Sequence, residues 1–175
     1  MSTNIAQESP AHAFPGGVCP TVGTVGHFSG GGHGNLMGKY GFASDNIADT
    51  LIVDVYGRVL NRETTGEDLF WALRGGGAAS FGVVLGWKIR LVQVTPAVTV
   101  FRVQRSLEQE ASHTAYRWQE VAPNRPKEIF IRLQAAVIKD EYKQVSSNKL
   151  QISFIGMFLA GGRQETCQHA SQEVP

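Results

Sequence analysis

The residues best suited to do chemistry are Cys19 and His27, which stand eight positions apart in a glycine-rich segment, residues 14–41. An ionised thiol is a nucleophile, and an imidazole can hold or release a proton near neutral pH. The segment contains half of the chain's twenty glycines. Because glycine loses more backbone entropy on folding than any other residue, so dense a run predicts backbone that approaches another group closely or takes positive φ angles.

A flexible linker is the simplest alternative for this segment, but its composition argues against one. Linkers are rich in glycine and serine and poor in large apolar residues. Here large side chains recur throughout the run: Val18, Val22, Val25, Phe28, Leu36, Met37 and Tyr40.

The spacing of residues in this segment also excludes three familiar kinds of ligand-binding site. A phosphate-binding P-loop needs glycine where His33 stands, and Ser or Thr where Tyr40 follows the lysine. The dinucleotide pattern G-x-G-x-x-G fails because Met37 occupies its third glycine position. A zinc site needs four ligands at characteristic spacings, and this segment supplies neither, so we predict no metal. The remaining interpretation is a nucleotide cofactor that the backbone approaches closely, with a thiol and an imidazole beside it.

Composition and charge place few further limits on function. The 175 residues carry a formal net charge of +1, with both signs interspersed. This argues against a nucleic-acid groove or an anionic membrane surface as partner. No apolar run approaches the roughly 18 residues of a membrane span, and the first ten residues lack the features of a signal peptide. Length alone allows one or two domains.

Several long motifs, in order, carry a family resemblance. The string G-V-C-P-T-V-G-x-x-G-H-F-S-G-G-G-x-G from Gly17 resembles the flavin loop of the plant berberine bridge enzyme-like proteins. These are FAD-linked oxidases whose flavin-binding domain is named after p-cresol methylhydroxylase. The similarity continues at L-M-G-K-Y-G, at A-S-D-N-I and at G-E-D-L-F-W-A-L-R-G-G-G-A-A-S-F-G-V-V-L-G-W-K-I-R-L-V. It covers nearly the whole chain, from about Ile5 onward.

The resemblance implies an α+β fold with two parts. Residues 1–95 would be the second subdomain of the FAD-binding domain, and residues 96–175 the start of an antiparallel-sheet substrate domain. Family members are longer and begin with a signal peptide and a first flavin subdomain, so we expect this chain to be a fragment. The resemblance also implies a secreted, cell-wall or vacuolar protein that is a monomer at full length.

The resemblance assigns the candidate cofactor residues. Cys19 would form a thioether to the flavin ring, the second of two covalent links, although an isolated cysteine is more often a small buried hydrophobe. The histidine of the other link is expected upstream. His27 would stabilise charge on the reduced flavin; the alternative is a histidine hydrogen-bonded to backbone carbonyls. Further expected FAD contacts are Gly17, Thr21, Gly23, Gly26 and Ile47, the last through its backbone.

The implied activity is oxidation of a small organic substrate, such as a carbohydrate, monolignol or alkaloid, by hydride transfer to covalent FAD. Molecular oxygen is the candidate electron acceptor. Arg132 and Gln134 lie on a polar strand face, and Gln134 is a candidate substrate contact. The catalytic base is expected further along the chain. A non-catalytic remnant that keeps the fold without flavin is the alternative, and a nicotinamide-binding domain is disfavoured by the glycine spacing.

Periodicity predicts the first-half elements. We expect a frayed helix before Phe14, a helical turn at 35–40 closed by Gly41, a helix at 66–73 and strands at 51–55 and 83–94. Leu51, Val53 and Val55 would share one face, and Val83, Leu85, Trp87, Ile89 and Leu91 would point inward. Tyr56 would weaken its turn, Val25 would distort the glycine loop, and the glycines at 75–77 would serve packing rather than a ligand.

In the second half we expect strands at 98–103, 129–137 and 150–160 and a helix over 107–121. Another helix would begin within 161–175, where Cys167 would be an unpaired thiol. Strands 51–55 and 150–160 would have unpaired edges once the rest of the family's fold is absent, which would favour aggregation.

Overall fold

The structure is a computed structural model that describes residues 2–19, 21–139 and 148–159. Those residues form helices and antiparallel sheets, which confirms the α+β prediction. They divide into two compact units between Val94 and Thr95. The predicted helix start within 161–175 and Cys167 lie outside the described residues.

The described residues of the first unit form four α-helices and five strands. The helices are α1 (Ser2–Glu8), α2 (Thr24–Ser29), α3 (Met37–Tyr40) and α4 (Arg62–Leu73). The strands are β1 (His12–Ala13), β2 (Ile47–Val53), β3 (Val59–Leu60), β4 (Val83–Ile89) and β5 (Val92–Gln93). One antiparallel sheet has the order β3-β2-β4, and β1 pairs with β5 in a second, smaller one.

The second unit contains strands β6 (Thr99–Ser106), β7 (Ile129–Lys139) and β8 (Asn148–Phe158), and helix α5 (Ala111–Val121). The strands form an antiparallel sheet in the order β6-β8-β7. Helix α5 packs on one face of this sheet, where Ala111 and Trp118 meet Ile152 and Phe154. The predicted helix over 107–121 is divided, because Glu110 takes a left-handed conformation with φ 57° before α5 begins.

Two buried clusters hold the first unit together. Phe14, Phe28, Ala43, Ile47 and Phe70 form one cluster, which joins the start and middle of the glycine-rich segment to β2 and α4. The second cluster forms where Ile52 of β2 packs against Leu73 and Ala78. Phe14 and Phe28 therefore anchor the glycine-rich segment in a core, so it is not a linker, although Val18, Val22 and Val25 are exposed.

The predicted inward face of β4 is wrong in the first half of the strand, where Val84 and not Val83 or Leu85 packs against the core. Ile52 is 1% exposed while Leu51 is 43% exposed, and Val83 and Leu85 are also exposed. The cause is an irregularity in the pairing of β2 with β4: Leu51 lies opposite Gly86 but Ile52 lies opposite Val84. One extra residue in β4 moves the following side chains to the other face of the sheet. The prediction assumed that side chains alternate between the two faces at every residue of β4, so it could not place this bulge.

The expected unpaired edges at 51–55 and 150–160 are also wrong. In the structure β2 lies between β3 and β4, and β8 lies between β6 and β7. Both strands therefore have a hydrogen-bonded neighbour on each side. Four apolar side chains of this three-stranded sheet are nevertheless exposed, namely Leu51, Val59, Val83 and Leu85.

Two local expectations fail because backbone conformation differs from what we inferred. Val25 lies in α2, and Tyr56 lies in the turn after β2; among the described residues, Glu110 is the single non-glycine residue with positive φ. Neither side chain therefore strains its backbone. The turn places Gly57, with φ 75°, at the left-handed position, as in three-residue hairpin loops.

The helical turn closed by Gly41 is confirmed at Met37–Tyr40, where Gly41 has φ 79°. The expected helix before Phe14 is present as Ser2–Glu8 and ends before Pro10. Within the described ranges, none of the helices is both long and apolar enough to cross a membrane.

Candidate functional site

The glycine-rich segment is held at both ends by β5. At its start, β1 pairs with β5, and the Val94 N–H donates to the Ala11 carbonyl at 2.9 Å. At its end, the Tyr40 hydroxyl donates to the Gln93 carbonyl. The segment therefore begins and ends on the same short strand, which closes it into a large loop.

Aromatic contacts fix the middle of this loop. The rings of Phe14 and Phe28 lie 4.9 Å apart between centroids, and Phe28 meets the edge of Trp87 at 6.3 Å. Aromatic pairs in such tilted geometry add to the free energy of burial. Because Phe28 is 2% exposed, its position in α2 orients the preceding residue, His27.

His27 lies in a cradle of glycine backbone. A Cβ added at Gly17 would stand 2.5 Å from His27 Cε1 and 2.8 Å from Nε2, and one added at Gly32 would stand 3.2 Å from Nε2. Gly32 also has φ 79°, which favours glycine. The imidazole fits only because both positions lack a side chain.

The Nε2 atom of His27 is buried and has no hydrogen-bond partner among the residues that the structure describes. Leaving a buried donor or acceptor unpaired costs about 1–3 kcal/mol. The alternative interpretation requires a hydrogen bond from the histidine to a backbone carbonyl, and Nε2 makes none among the described residues. A ligand group could supply the missing partner, although the Gly17 backbone would first have to move, since it covers the ring.

Cys19 lies in the same segment with an exposed, free thiol. Its carbonyl accepts from the Val22 N–H at 3.3 Å, which turns the chain toward α2. The small-buried-hydrophobe alternative for Cys19 does not fit this exposure. An exposed cysteine is accessible to an electrophile, which a covalent link to a cofactor requires.

The other predicted contacts fall into different environments. Thr21, Gly23 and Gly26 are exposed, and a Cβ at Gly23 or Gly26 would meet nothing within 4 Å. A ligand can therefore approach the backbone closely there. Gly17 instead makes room for His27, so its lack of a side chain has a structural cause as well.

Ile47 lies in the core rather than on a surface. Its side chain is 2% exposed, and its N–H donates to the Ser44 carbonyl. The polar residues before it close the loop: the Asn46 amide donates to the carbonyls of Tyr40 at 2.8 Å and Phe42 at 3.0 Å. A cofactor contact by Ile47 would therefore involve neither its side chain nor its N–H.

Two of the three glycines at 75–77 contact neighbouring backbone, as the packing interpretation expects, while a Cβ at Gly75 would meet nothing within 4 Å. The Gly77 N–H donates to the Ser29 carbonyl at 3.0 Å, and a Cβ at Gly76 would stand 2.7 Å from the Ala72 carbonyl oxygen. The Gly77 hydrogen bond supports the end of α2, one residue after Phe28, whereas the Gly76 contact lies at the end of α4.

The remaining candidate, Gln134, is exposed on β7 of the second unit. In the described ranges, no group of three or more His, Cys, Asp or Glu side chains could hold a metal ion. Sequence reasoning missed the roles of Gly32, Tyr40 and Asn46. Of these, only Asn46 had a local signal, since asparagine after a glycine-containing turn commonly bonds nearby backbone.

Comparison with known proteins identifies relatives over nearly the whole chain. Berberine bridge enzyme-like 16 of Arabidopsis thaliana is 52% identical over 158 residues, which make up 89% of this chain and 29% of that protein. Tetrahydroberberine oxidase of Berberis wilsoniae is 48% identical over 171 residues, covering 98% of this chain and 32% of that protein. No family model matches the chain.

A solved structure agrees with these relatives. The grass pollen allergen Phl p 4, described as having glucose dehydrogenase activity, superposes with a TM-score of 0.86 at 36% identity, covering 99% of this chain and 33% of that one. The chain spans about a third of the length of the relatives it matches. From this agreement of sequence, motif order and fold, we conclude that the chain belongs to the berberine bridge enzyme-like family.

Proposed function

We propose that this chain forms part of an FAD-dependent oxidoreductase, in which Cys19 holds the flavin covalently and His27 stabilises its reduced form. The observation that carries the proposal is the buried Nε2 of His27, which lies within a glycine cradle and has no hydrogen-bond partner in the described part of the chain. The exposed thiol of Cys19 and the open backbone at Gly23 and Gly26 support it, because they leave room for a planar cofactor along the same segment.

FAD, when bound, supplies a two-electron hydride acceptor. Cys19 would hold its ring as a thioether, since an exposed thiol that ionises is a nucleophile. Such a tether would fix the orientation of the ring and make it a stronger oxidant, as the family resemblance implies. Thr21, Gly23 and Gly26 would bind it along exposed backbone.

His27 would act through the charge that appears when the cofactor is reduced. A donor placed beforehand at that position stabilises the charge without reorganising during the reaction. The cradle supports this role because Gly17 and Gly32 restrict where the imidazole can lie. The ring would thus be held in place by the fold before any substrate binds.

The substrate is proposed only as a class. One relative is named an oxidase of tetrahydroberberine, and one structural neighbour is described as a glucose dehydrogenase. We therefore propose a small organic molecule, such as a carbohydrate, monolignol or alkaloid, with molecular oxygen as candidate electron acceptor and Gln134 as a substrate contact. The whole protein would be a secreted, cell-wall or vacuolar monomer.

The test is an absorption spectrum of the whole protein after denaturation and removal of small molecules. We expect a flavin band that stays with the polypeptide, because a covalent link survives unfolding. A band that is lost on denaturation would contradict covalent attachment. A protein with no flavin band before denaturation would instead support the non-catalytic alternative.

A further inference from the structure

The bulge in β4 brings Val84 and Trp87 to the same face of the first unit's sheet. Strict alternation would put residues three apart on opposite faces, yet both of these side chains pack against buried residues of the unit. Leu85 is the extra residue at the shift in the pairing of β4 with β2. A bulge of this kind can re-aim a side chain, and here it turns the indole of Trp87 inward.

The inward-facing indole of Trp87 is in contact with α2. Trp87 packs against both buried clusters of the first unit, and its ring meets the ring of Phe28 edge-on, with centroids 6.3 Å apart. The ring of Phe28 also lies 4.9 Å from that of Phe14, and Phe28 is 2% exposed. Because protein cores are close-packed, a change in the volume of one ring displaces its neighbours. The size of the Trp87 ring therefore helps to set how deeply Phe28 enters the core.

The position of Phe28 in turn determines where α2 and His27 lie. Helix α2 is six residues long, and its buried residues are Phe28 and Ser29. The ring of His27 lies 6.1 Å from that of Phe28 between centroids. A Cβ added at Gly17 or Gly32 would come within 3.2 Å of the imidazole. With so little space beside the ring, a shift of α2 would change the position of Nε2.

The indole N–H of Trp87 has no hydrogen-bond acceptor among the described residues, although its Nε1 atom is buried. A buried donor without an acceptor destabilises a fold, and a buried tryptophan usually has one. Within the described part of the chain, hydrogen bonding therefore does not account for a tryptophan at this position. The size and shape of the ring, which fills the space between Phe28 and the two clusters, do account for it.

We propose that Trp87 is a positioning residue for His27, that it acts through Phe28, and that the bulge at Leu85 aims it there. The inference rests on the proposed function, in which His27 stabilises the reduced flavin. A smaller side chain at position 87 would let Phe28 and α2 move toward β4 and would draw the imidazole away from the developing charge. Trp87 would thus raise both the midpoint potential of the flavin and its rate of reduction through His27.

The test compares Trp87→Leu and Trp87→Phe with the unaltered whole protein, each loaded with flavin. We expect Trp87→Leu to slow flavin reduction about tenfold, because a small displacement of a preplaced group can cost that much. It should also lower the midpoint potential of the flavin, measured at equilibrium against redox dyes. Trp87→Phe keeps an aromatic ring against Phe28, so it should recover most of both losses.

The matched control is Phe81→Leu, because Phe81 packs against the second cluster, which does not contain Phe28. This substitution should lower the free energy of unfolding but leave the midpoint potential and the reduction rate unchanged. An equal loss of potential in Phe81→Leu would overturn the inference, since any weakening of the core would then be sufficient.

A double-mutant cycle shows whether Trp87 acts through His27. In the His27→Ala background, Trp87→Leu should cause no further loss of potential or rate, because the group that it positions is gone. An equal loss in both backgrounds, or no loss in either, would overturn the inference while the proposed function stood. Unchanged potential and rate in His27→Ala would contradict the proposed role of His27, and the inference with it. If Trp87→Leu does not fold, Trp87→Met, whose flexible side chain fills irregular space, takes its place in the same cycle.

Discussion

His27 is the residue whose surroundings most directly constrain the function. The rings and backbone around it are fixed by Phe28, Gly17 and Gly32, yet its Nε2 lacks a partner among the described residues. Two glycines are needed to accommodate the imidazole of His27, and its Nε2 still lacks a hydrogen-bond partner in the described residues. A bound ligand would supply that partner.

Replacing His27 with Ala tests this role. In the flavin-loaded whole protein, His27→Ala should slow flavin reduction by roughly tens- to hundreds-fold, in line with removal of one preplaced donor from a site of developing charge. Rapid-mixing absorbance at the flavin band measures the rate. His33→Ala is the matched control, since His33 is exposed in the same segment; equal rates in both variants would return His27 to a structural role.

A substitution at Gly26 tests the stability of the fold and the binding of the cofactor separately. It lies within α2, and a Cβ there would meet nothing within 4 Å. Gly26→Ala should therefore raise the free energy of unfolding by about 0.5–1 kcal/mol. If the open space belongs to FAD, the same substitution should weaken FAD binding.

Denaturant unfolding and flavin content measure these two effects on one sample. Gly86→Ala is the control, because a Cβ at Gly86 also meets nothing within 4 Å but lies in β4. It should leave flavin content unchanged. Undiminished flavin in Gly26→Ala would show that the cofactor does not approach α2 at this position.

At the scale of the residue, the motif around Cys19 and His27 predicted which side chains to consider. It could not predict that Gly17 and Gly32 enclose the imidazole, because those contacts join positions separated by 10 and 5 residues through a helix we had not expected. It also could not distinguish the buried Ile47 from the exposed Thr21. Burial depends on packing partners that are distant in the sequence.

At the scale of the element, the β2–β3 turn depends on a carboxylate. Asp54 Oδ1 accepts from the N–H groups of Tyr56 and Arg58, each at 2.9 Å, and Oδ2 accepts from the Arg58 guanidinium at 2.7 Å. Desolvation raises the pKa of Asp54, but these hydrogen bonds and the charge of Arg58 together hold that pKa below its ordinary value.

This lowered pKa predicts a pH dependence of stability. Because the folded pKa lies below the unfolded one, the stabilisation is fully present above the unfolded value and is lost as pH falls through the folded pKa. Asp54→Ala should therefore lower Tm at pH 7, and the difference from the unaltered protein should shrink in strong acid. Thermal melts at both pH values measure it, with Asp68→Ala, an exposed carboxylate of α4, as control.

A Tm difference for Asp54→Ala that stayed constant down to strong acid would show that the turn does not depend on the ionised carboxylate. The sequence already placed a hairpin turn after residue 55, because Gly57 follows a strand pattern. It did not show that Asp54 organises the turn. Nor did it show the bulge opposite Leu51–Ile52, since an irregular pairing leaves no periodic signal.

At the scale of the whole molecule, the first unit exposes an apolar sheet face. Leu51, Val59, Val83 and Leu85 are between 43% and 66% exposed, while the relatives are about three times as long as this chain. Large exposed apolar patches favour association. We expect residues 1–175 expressed alone to be poorly soluble, to bind FAD weakly or not at all, and to show no oxidase activity.

Light scattering and calorimetry with FAD measure that expectation. Replacing Val83 and Leu85 together with Thr should raise solubility, since both side chains point away from the core of the unit. Ala79→Ser, a change at an exposed small residue, should not. A soluble monomer of residues 1–175 that binds FAD tightly would show that the Cys19 segment is sufficient as a flavin site.

The measurement that tests the central claim most directly is mass spectrometry of the peptide that contains Cys19, prepared by proteolysis of the whole protein. We expect a peptide heavier by the mass of the flavin, and we expect this mass to be absent in Cys19→Ala while flavin stays bound through a second link. An unmodified Cys19 peptide from protein that contains flavin would contradict the account.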